Sequence, residues 1–150
     1  MSDGEDQRPE PPVGFLEAPN RGPFMLHNGP MFQNLDNPAA PRQAFFALQR
    51  HANTMGLVHG GMLSAFMDTV LAQAVQKVTL RAGVTVHLSV DYLDAARPDH
   101  WVIGEGRVTR ETRDVVFAEG DAWCGDRHVA RATGLFKMMR RRPLDDAVTP

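Results

Sequence analysis

From Gly61 to Gln76 the chain contains nothing that breaks a helix, and Ala, Leu, Met and Gln dominate it. An α-helix of about four turns is predicted there. It is apolar over most of its circumference, and a helix of that kind packs with protein on several sides. Between His59 and Lys77 the only ionisable side chain is Asp68. Its mid-helix position has no basis in helix propensity, so another cause has to hold it there. At about 100° per residue, the face of Asp68 also carries Gly61, Ser64, Ala65, Leu71, Ala72 and Val75, with Leu63, Phe66, Met67 and Val70 on the far side. Small neighbours let a ligand or a second backbone approach closely, and a carboxylate set among them is placed to act as a general base.

The rest of the chain reads mainly as strands. Met31–Leu35 and Gln43–Gln49 are short strand candidates, the first bounded by the turn residues Asn28-Gly29-Pro30 and Asp36-Asn37-Pro38. Val84 to Leu93 alternates, with Val84, Val86, Leu88, Val90 and Tyr92 on one face and Thr85, His87, Ser89 and Asp91 on the other. Strands are also predicted over Trp101–Arg110, Val115–Cys124 and Arg127–Met139, the last two joined by a two-residue turn at Gly125-Asp126. Connections this short favour antiparallel pairing, and one sheet wrapped around one helix is the economical α+β solution. Residues 1–23, rich in proline and charge, read as a flexible lead, residues 24–139 as the domain and residues 140–150 as a flexible tail.

A chain of 150 residues suits a single domain. Its 16 Lys and Arg against 18 Asp and Glu give a formal charge of -2, which points to neither a nucleic-acid nor a membrane partner. Cys124 stands alone, excluding an internal disulfide framework and the cysteine-rich routes to zinc. The N-terminal residues lack the pattern of a secretory signal, and a cytoplasmic location is expected. His51 and His59 have no evident third ligand, so no metal is expected.

Asn53-Thr54-Met55-Gly56-Leu57-Val58-His59-Gly60-Gly61 delivers the chain into the helix. Helix N-termini leave N–H groups unpaired and partly positive, so Gly60 and Gly61 are candidates to stabilise an oxygen that becomes negative during reaction. Here the sequence resembles the PaaI-like hotdog-fold acyl-CoA thioesterases. The matching residues are Asn53, Gly56, His59-Gly60-Gly61, Asp68, Thr85 and the run Leu88-Ser89-Val90-Asp91-Tyr92-Leu93, and the resemblance covers residues 26–138. It implies a hotdog fold and hydrolysis of an acyl-CoA thioester, with Asp68 as base or nucleophile and the Gly60 N–H polarising the carbonyl. It also implies that Asn53 and His59 shape that end of the site and that Thr85 stands beside the attacking water. CoA is part of the substrate, so no cofactor is implied. Dimers, often paired again into tetramers, are the family's assemblies.

Asp68 lies eight residues beyond Gly60, about 12 Å along one helix. Both must act within about 3 Å of one reacting centre, so two antiparallel helices across a two-fold axis, one from each chain of a homodimer, are predicted to share each site. Ser64 lacks the spacing of a nucleophile elbow, and Cys124 reads as a buried thiol. Trp101, Trp123, Phe117 and Phe136 read as core or sheet-packing residues. His87 shares the face of Thr85 and is a candidate to line the site, with a surface role as the alternative. Arg110, Arg113, Lys137 and Arg140 to Arg142 are unranked candidates for CoA phosphates. A non-catalytic acyl-CoA-binding domain of the same fold is the alternative to an enzyme. A hydratase would need a catalytic His on or beside the helix, whose body has none. The identity of the acyl group is left open.

Overall fold

A computed structural model describes residues 8–19 and 22–140. The elements run β1 (Leu16–Glu17), α1 (Gly22–Asn28), β2 (Met31–Asn34), β3 (Arg42–Phe46), a 3-10 turn (Gln49–His51), α2 (Gly60–Thr79), β4 (Gly83–Tyr92), β5 (Trp101–Glu111), β6 (Val115–Cys124) and β7 (Arg127–Met138). The seven strands form one sheet in the order β1-β2-β3-β5-β6-β7-β4, antiparallel at every pairing, with α2 against its inner face. The predicted α+β architecture is therefore present. The second strand candidate is shorter than expected, because the chain leaves β3 after Phe46 and turns at Gln49–His51. No helix among the described residues is long and apolar enough to cross a membrane.

Small residues on the sheet's inner face set how closely α2 lies. A Cβ on Gly104 would stand 2.7 Å from Val70 Cγ2, and one on Gly106 would stand 2.8 Å from the Val70 carbonyl oxygen. Only glycine lets the helix backbone come so near the strand. Above this floor α2 buries Leu63, Phe66, Met67, Val70, Leu71 and Val75. Leu71 and Val75 thus face the sheet rather than sharing the flank of Asp68. That flank consists of Gly61, Ser64, Ala65, Asp68, Thr69 and Ala72, none of them fully buried. Within one chain the helix is covered on the sheet side, not on several sides as its composition predicted.

Strand β4 departs from its sequence pattern. In its pairing with β7, Thr85 stands opposite Phe136 and His87 opposite Leu135, which leaves Val86 as an extra residue in a β-bulge. The bulge reverses the alternation, so Thr85 joins the inner face with Leu88, Val90 and Tyr92. Val84, Val86 and His87 are exposed.

The lead is a second correction. Leu16–Glu17 pair with Gln33 and Phe32 of β2, and Phe15 is buried with Phe32 and Ala44 on the outer face of the sheet, beside Trp101 and Ile103. The Arg8 guanidinium lies over the Phe32 ring and that of Arg42 over Phe15. One buried aromatic and two stacked cations hold a segment whose average composition predicts disorder. Residues 1–7 and the tail from 141 lie outside the described residues. Phe136 is in the core as expected, whereas Phe117 is exposed on the outer face.

Candidate active site

The loop entering α2 is built on polar anchors. His51 is buried, with Nδ1 accepting the Leu48 N–H at 3.0 Å and Nε2–H donating to the Asn28 carbonyl at 2.9 Å. Burial and the charge of Arg50 hold its imidazole below the ordinary histidine pKa, against the opposing pull of the Asn28 bond. It is a neutral peg between α1 and the loop. Asn53 Oδ1 accepts the N–H groups of Met55 at 2.9 Å and Leu57 at 3.1 Å, and Gly56 turns the chain at φ 74. The His59 N–H donates to the His51 carbonyl at 2.8 Å, which seats His59 at the head of α2.

His59 is the N-cap, at φ -60 and ψ 135. Its Nδ1 accepts the Gly61 N–H at 2.8 Å, while its carbonyl accepts from Met62 at 2.9 Å and Leu63 at 3.2 Å. The bonds to Gly61 and Met62 occupy two of the orphan donors of the helix start, and the bond from Leu63 is the first of the helix ladder. The Gly60 N–H has no hydrogen-bond partner among the described residues. The Gly60 carbonyl is held from β4 by the Tyr92 hydroxyl at 2.9 Å, which Ser64 Oγ meets at 2.5 Å.

Two turns further on, Asp68 Oδ1 accepts a hydrogen bond from Thr85 Oγ1 at 2.6 Å. The bulge in β4 supplies this contact by turning Thr85 inward. Asp68 is half-buried and borders a cavity of about 370 Å³ lined also by Met25, Thr69, Ala72, Gln73, Gln76 and Gly83. A separate concavity of about 260 Å³ lies at the helix start, between Phe24, Asn28, Arg50, His59, Gly61 and Ala65. The single chain therefore presents two half-sites on the open flank of α2: a carboxylate oriented by a hydroxyl, and an unpaired N–H at the positive end of a helix.

Of the five residues singled out by sequence, the structure joins Asp68 to Thr85 and places His59 next to Gly60. Asn53 is in the loop, its amide oxygen spent on the turn it organises. His87 lies on the sheet face opposite Thr85, away from the site, because Val86 is the bulge residue. Ser64 is engaged by Tyr92, and Cys124 is a buried free thiol. Among the cationic candidates, Arg113, Lys137 and Arg140 line a cleft of about 1060 Å³ with Arg81 and Asp114, and Arg110 is exposed elsewhere on β5. Arg141 and Arg142 lie outside the described residues. No group of three His, Cys, Asp or Glu side chains that could hold a metal occurs among the described residues. Tyr92, the only tyrosine of the chain, is named by sequence only within the strand that resembles the family, not as a site residue. Its partner is a backbone carbonyl 32 residues away, which leaves no trace in residue types.

A family model described as the thioesterase superfamily matches residues 55–131. "Putative esterase PA0474" of Pseudomonas aeruginosa is 33% identical over 132 residues, spanning 85% of this chain and 96% of that protein. Among solved structures, a mutant of the phenylacetic acid degradation protein PaaI from Thermus thermophilus is similar with a TM-score of 0.71 at 21% identity, over 79% of this chain and 100% of that one. A hypothetical thioesterase from Streptococcus pneumoniae, solved with coenzyme A, is similar with a TM-score of 0.65 at 23% identity, over 70% of this chain and 85% of that one.

Proposed function

The chain belongs to the thioesterase superfamily and is a thioester hydrolase with a PaaI-like hotdog fold, and from that premise we propose that it cleaves acyl-CoA to a free acid and CoA, with Asp68 as general base or nucleophile. The observation that carries this reading is the 2.6 Å bond from Thr85 to Asp68 at the rim of an open cavity. One carboxylate oxygen is fixed by the hydroxyl and the other is left for the reaction. The coenzyme A bound by the Streptococcus pneumoniae thioesterase supports CoA as the leaving group.

With Asp68 as base, the carboxylate takes a proton from water as the water oxygen attacks the thioester carbon. The Gly60 N–H, reinforced by the helix N-terminus, receives the developing oxyanion. Collapse breaks the C–S bond, and the CoA thiolate leaves with the proton held by Asp68. With Asp68 as nucleophile, the same N–H serves an acyl-aspartyl anhydride that water then opens. His59, fixed by its bond to Gly61, keeps the entry turn in shape for that donor, and Asn53 holds the loop before it. Water and the thioester suffice, and no cofactor enters.

Gly60 and Asp68 are eight residues apart on α2, about 12 Å along its axis, so they cannot both reach one carbonyl within a chain. The small residues Gly61, Ser64, Ala65 and Ala72 on the open flank allow a second α2 to lie antiparallel against it. That arrangement pairs Gly60 of one subunit with Asp68 of the other, twice per homodimer, and such dimers are the unit from which a tetramer would be assembled. Hydrolysis of a panel of acyl-CoAs, followed by a thiol reagent, tests the reaction. Asp68→Asn is expected to lower the rate by about 10²–10⁴ with fold and assembly intact. Near-wild-type turnover by that variant overturns the mechanism.

A further inference from the structure

The Gly60 N–H and the His59 carbonyl belong to one planar peptide unit, and the Gly60 carbonyl and the Gly61 N–H belong to the next. The first unit is anchored through the His59 carbonyl, which accepts from Met62 and Leu63. The second is held at both ends, its N–H by His59 Nδ1 at 2.8 Å and its carbonyl by the Tyr92 hydroxyl at 2.9 Å. The two units meet at the Gly60 Cα, and glycine opposes rotation there less than any other residue.

Neither packing nor an unsatisfied carbonyl accounts for the bond from Tyr92. The residue is 53% exposed, and a carbonyl in the first turn of a helix already accepts the N–H four residues on. The one hydroxyl proton of Tyr92 goes to Gly60, so Ser64 is the donor in the 2.5 Å contact between the two hydroxyls. Ser64 thereby orients and polarises the Tyr92 O–H. A Cβ on Gly60 would stand 3.3 Å from the Tyr92 ring, which places the ring against the same pivot. Tyr92 ends β4, seven residues beyond Thr85, so a single strand touches both half-sites: Thr85 holds Asp68 and Tyr92 holds Gly60.

We infer that Tyr92 is a positioning residue for the reaction, which fixes the direction of the Gly60 N–H by clamping the peptide unit beside it, with Ser64 as its support. The inference rests on the reading of Gly60 as the donor to the oxyanion. A donor aimed before charge develops needs no reorganisation in the transition state, whereas one on an unclamped glycine has to be ordered at that moment. The thioester oxygen depends on that donor less in the ground state than when it becomes negative, so the loss falls on kcat and not on KM.

Tyr92→Phe removes one oxygen and keeps the ring against Gly60. On an acyl-CoA that the wild type hydrolyses, kcat is expected to fall about three- to tenfold, with KM within about twofold and the urea midpoint and assembly unchanged. Ser64→Ala, which leaves the tyrosine bond without its support, should lower kcat about two- to threefold. In a Gly60→Pro chain, where no donor is left to aim, Tyr92→Phe should change kcat by less than about twofold. A wild-type kcat in Tyr92→Phe overturns the inference, as does a loss confined to KM, or defects of Gly60→Pro and Tyr92→Phe that multiply in full. Should the phenylalanine variant not fold, an unchanged kcat in Ser64→Ala overturns it instead. Near-wild-type turnover by Gly60→Pro, or failure of the wild type to hydrolyse any acyl-CoA, overturns the reading of the site on which the inference rests.

Discussion

Gly60→Pro deletes the one unpaired donor at the head of α2 without disturbing the helix that carries it. Proline has no N–H, and the first helical residue is where that loss is tolerated, since the ring fixes φ near the helical value. The preceding residue must be extended, and His59 already is, at φ -60 and ψ 135. A Cβ at position 60 meets the Tyr92 ring at 3.3 Å, at the far end of a side chain that can yield. The variant should therefore fold and assemble, with its defect confined to the oxyanion. Loss of one such donor costs about 10²–10³ in kcat, roughly 2.7–4 kcal/mol. Asp68→Asn is expected to be at least as severe.

Neither variant alone should retain more than on the order of 1% of wild-type turnover. Co-expressed at equal levels, half of the dimers pair one variant with the other, and each mixed dimer rebuilds one of its two sites from the undamaged Gly60 of one chain and the undamaged Asp68 of its partner. The preparation as a whole should recover about a quarter of wild-type activity, and mixed dimers isolated on two different tags about half. Thiol release from an acyl-CoA that the wild type hydrolyses measures both figures. Activity equal to the residual rates of the two variants would mean that both groups act within one chain. Near-wild-type turnover by Gly60→Pro alone would remove the Gly60 N–H from the mechanism.

Thr85→Val removes the hydroxyl from Asp68 while keeping its volume; a bond to a charged group contributes about 1.5–3 kcal/mol, and this half-buried one falls at the lower end, so kcat should drop about tenfold and recover in Thr85→Ser. An unchanged kcat in the valine variant would show that the bond does not position the carboxylate. Gly106→Ala should cost about 1–3 kcal/mol in denaturant unfolding, because its Cβ meets the Val70 carbonyl at 2.8 Å and backbone cannot give as a side-chain tip can; a neutral result would refute the close seating of α2. Burial alone would raise the Asp121 carboxyl, but bonds and charge from Arg131 and His128 outweigh it and hold the pKa below the ordinary 3.8. A carboxyl depressed in the folded state stabilises above its unfolded pKa and loses that contribution as pH falls through the folded value. Asp121→Asn should therefore be less stable than wild type by about 1–3 kcal/mol at pH 7, with the gap narrowing below about pH 4, and a pH-independent gap would contradict the assignment.

The helix and the strands of the meander were legible because periods of 3.6 and 2 are local properties of a sequence. Val84-Thr85-Val86-His87-Leu88 shows where that stops. It alternates without a flaw, yet the chain inserts Val86 as a bulge, because Thr85 is drawn inward to Asp68 while β7 sets Phe136 and Leu135 in consecutive pairs against it. Pairing with a strand some 50 residues away decides the register, and no pattern within β4 reports it. Thr85 was foreseen through the family resemblance, whereas the companion expectation, that His87 shares its face, followed from the alternation and failed with it. Asn53 matched the family's spacing too, but only coordinates reveal that its oxygen holds the turn of its own loop. The lead misled by averaging: its composition is that of a disordered segment, but a single phenylalanine, Phe15, ties it to the sheet.

The lone charge in an apolar helix can now be given a physical cause. α2 is bounded on the sheet side by glycines that bring it close and on its open flank by small residues that cover little. A carboxylate in the buried row of Phe66 and Val70 would be stranded without water or partner, at a cost that no single hydroxyl offsets. On the open flank Asp68 remains half-exposed, receives one bond from Thr85, and borders a cavity that the chain leaves uncovered. Hydrolysis of a thioester needs such a group shielded from bulk solvent during reaction, yet supplied with one water or one carbonyl. In the proposed homodimer a second helix laid across the small residues would meet both needs, closing the cavity and bringing the unpaired N–H of its own Gly60. That proposal would give the polarity of position 68, the smallness of positions 61, 64, 65 and 72, and the missing partner of the Gly60 N–H one cause, the approach of a second copy of α2.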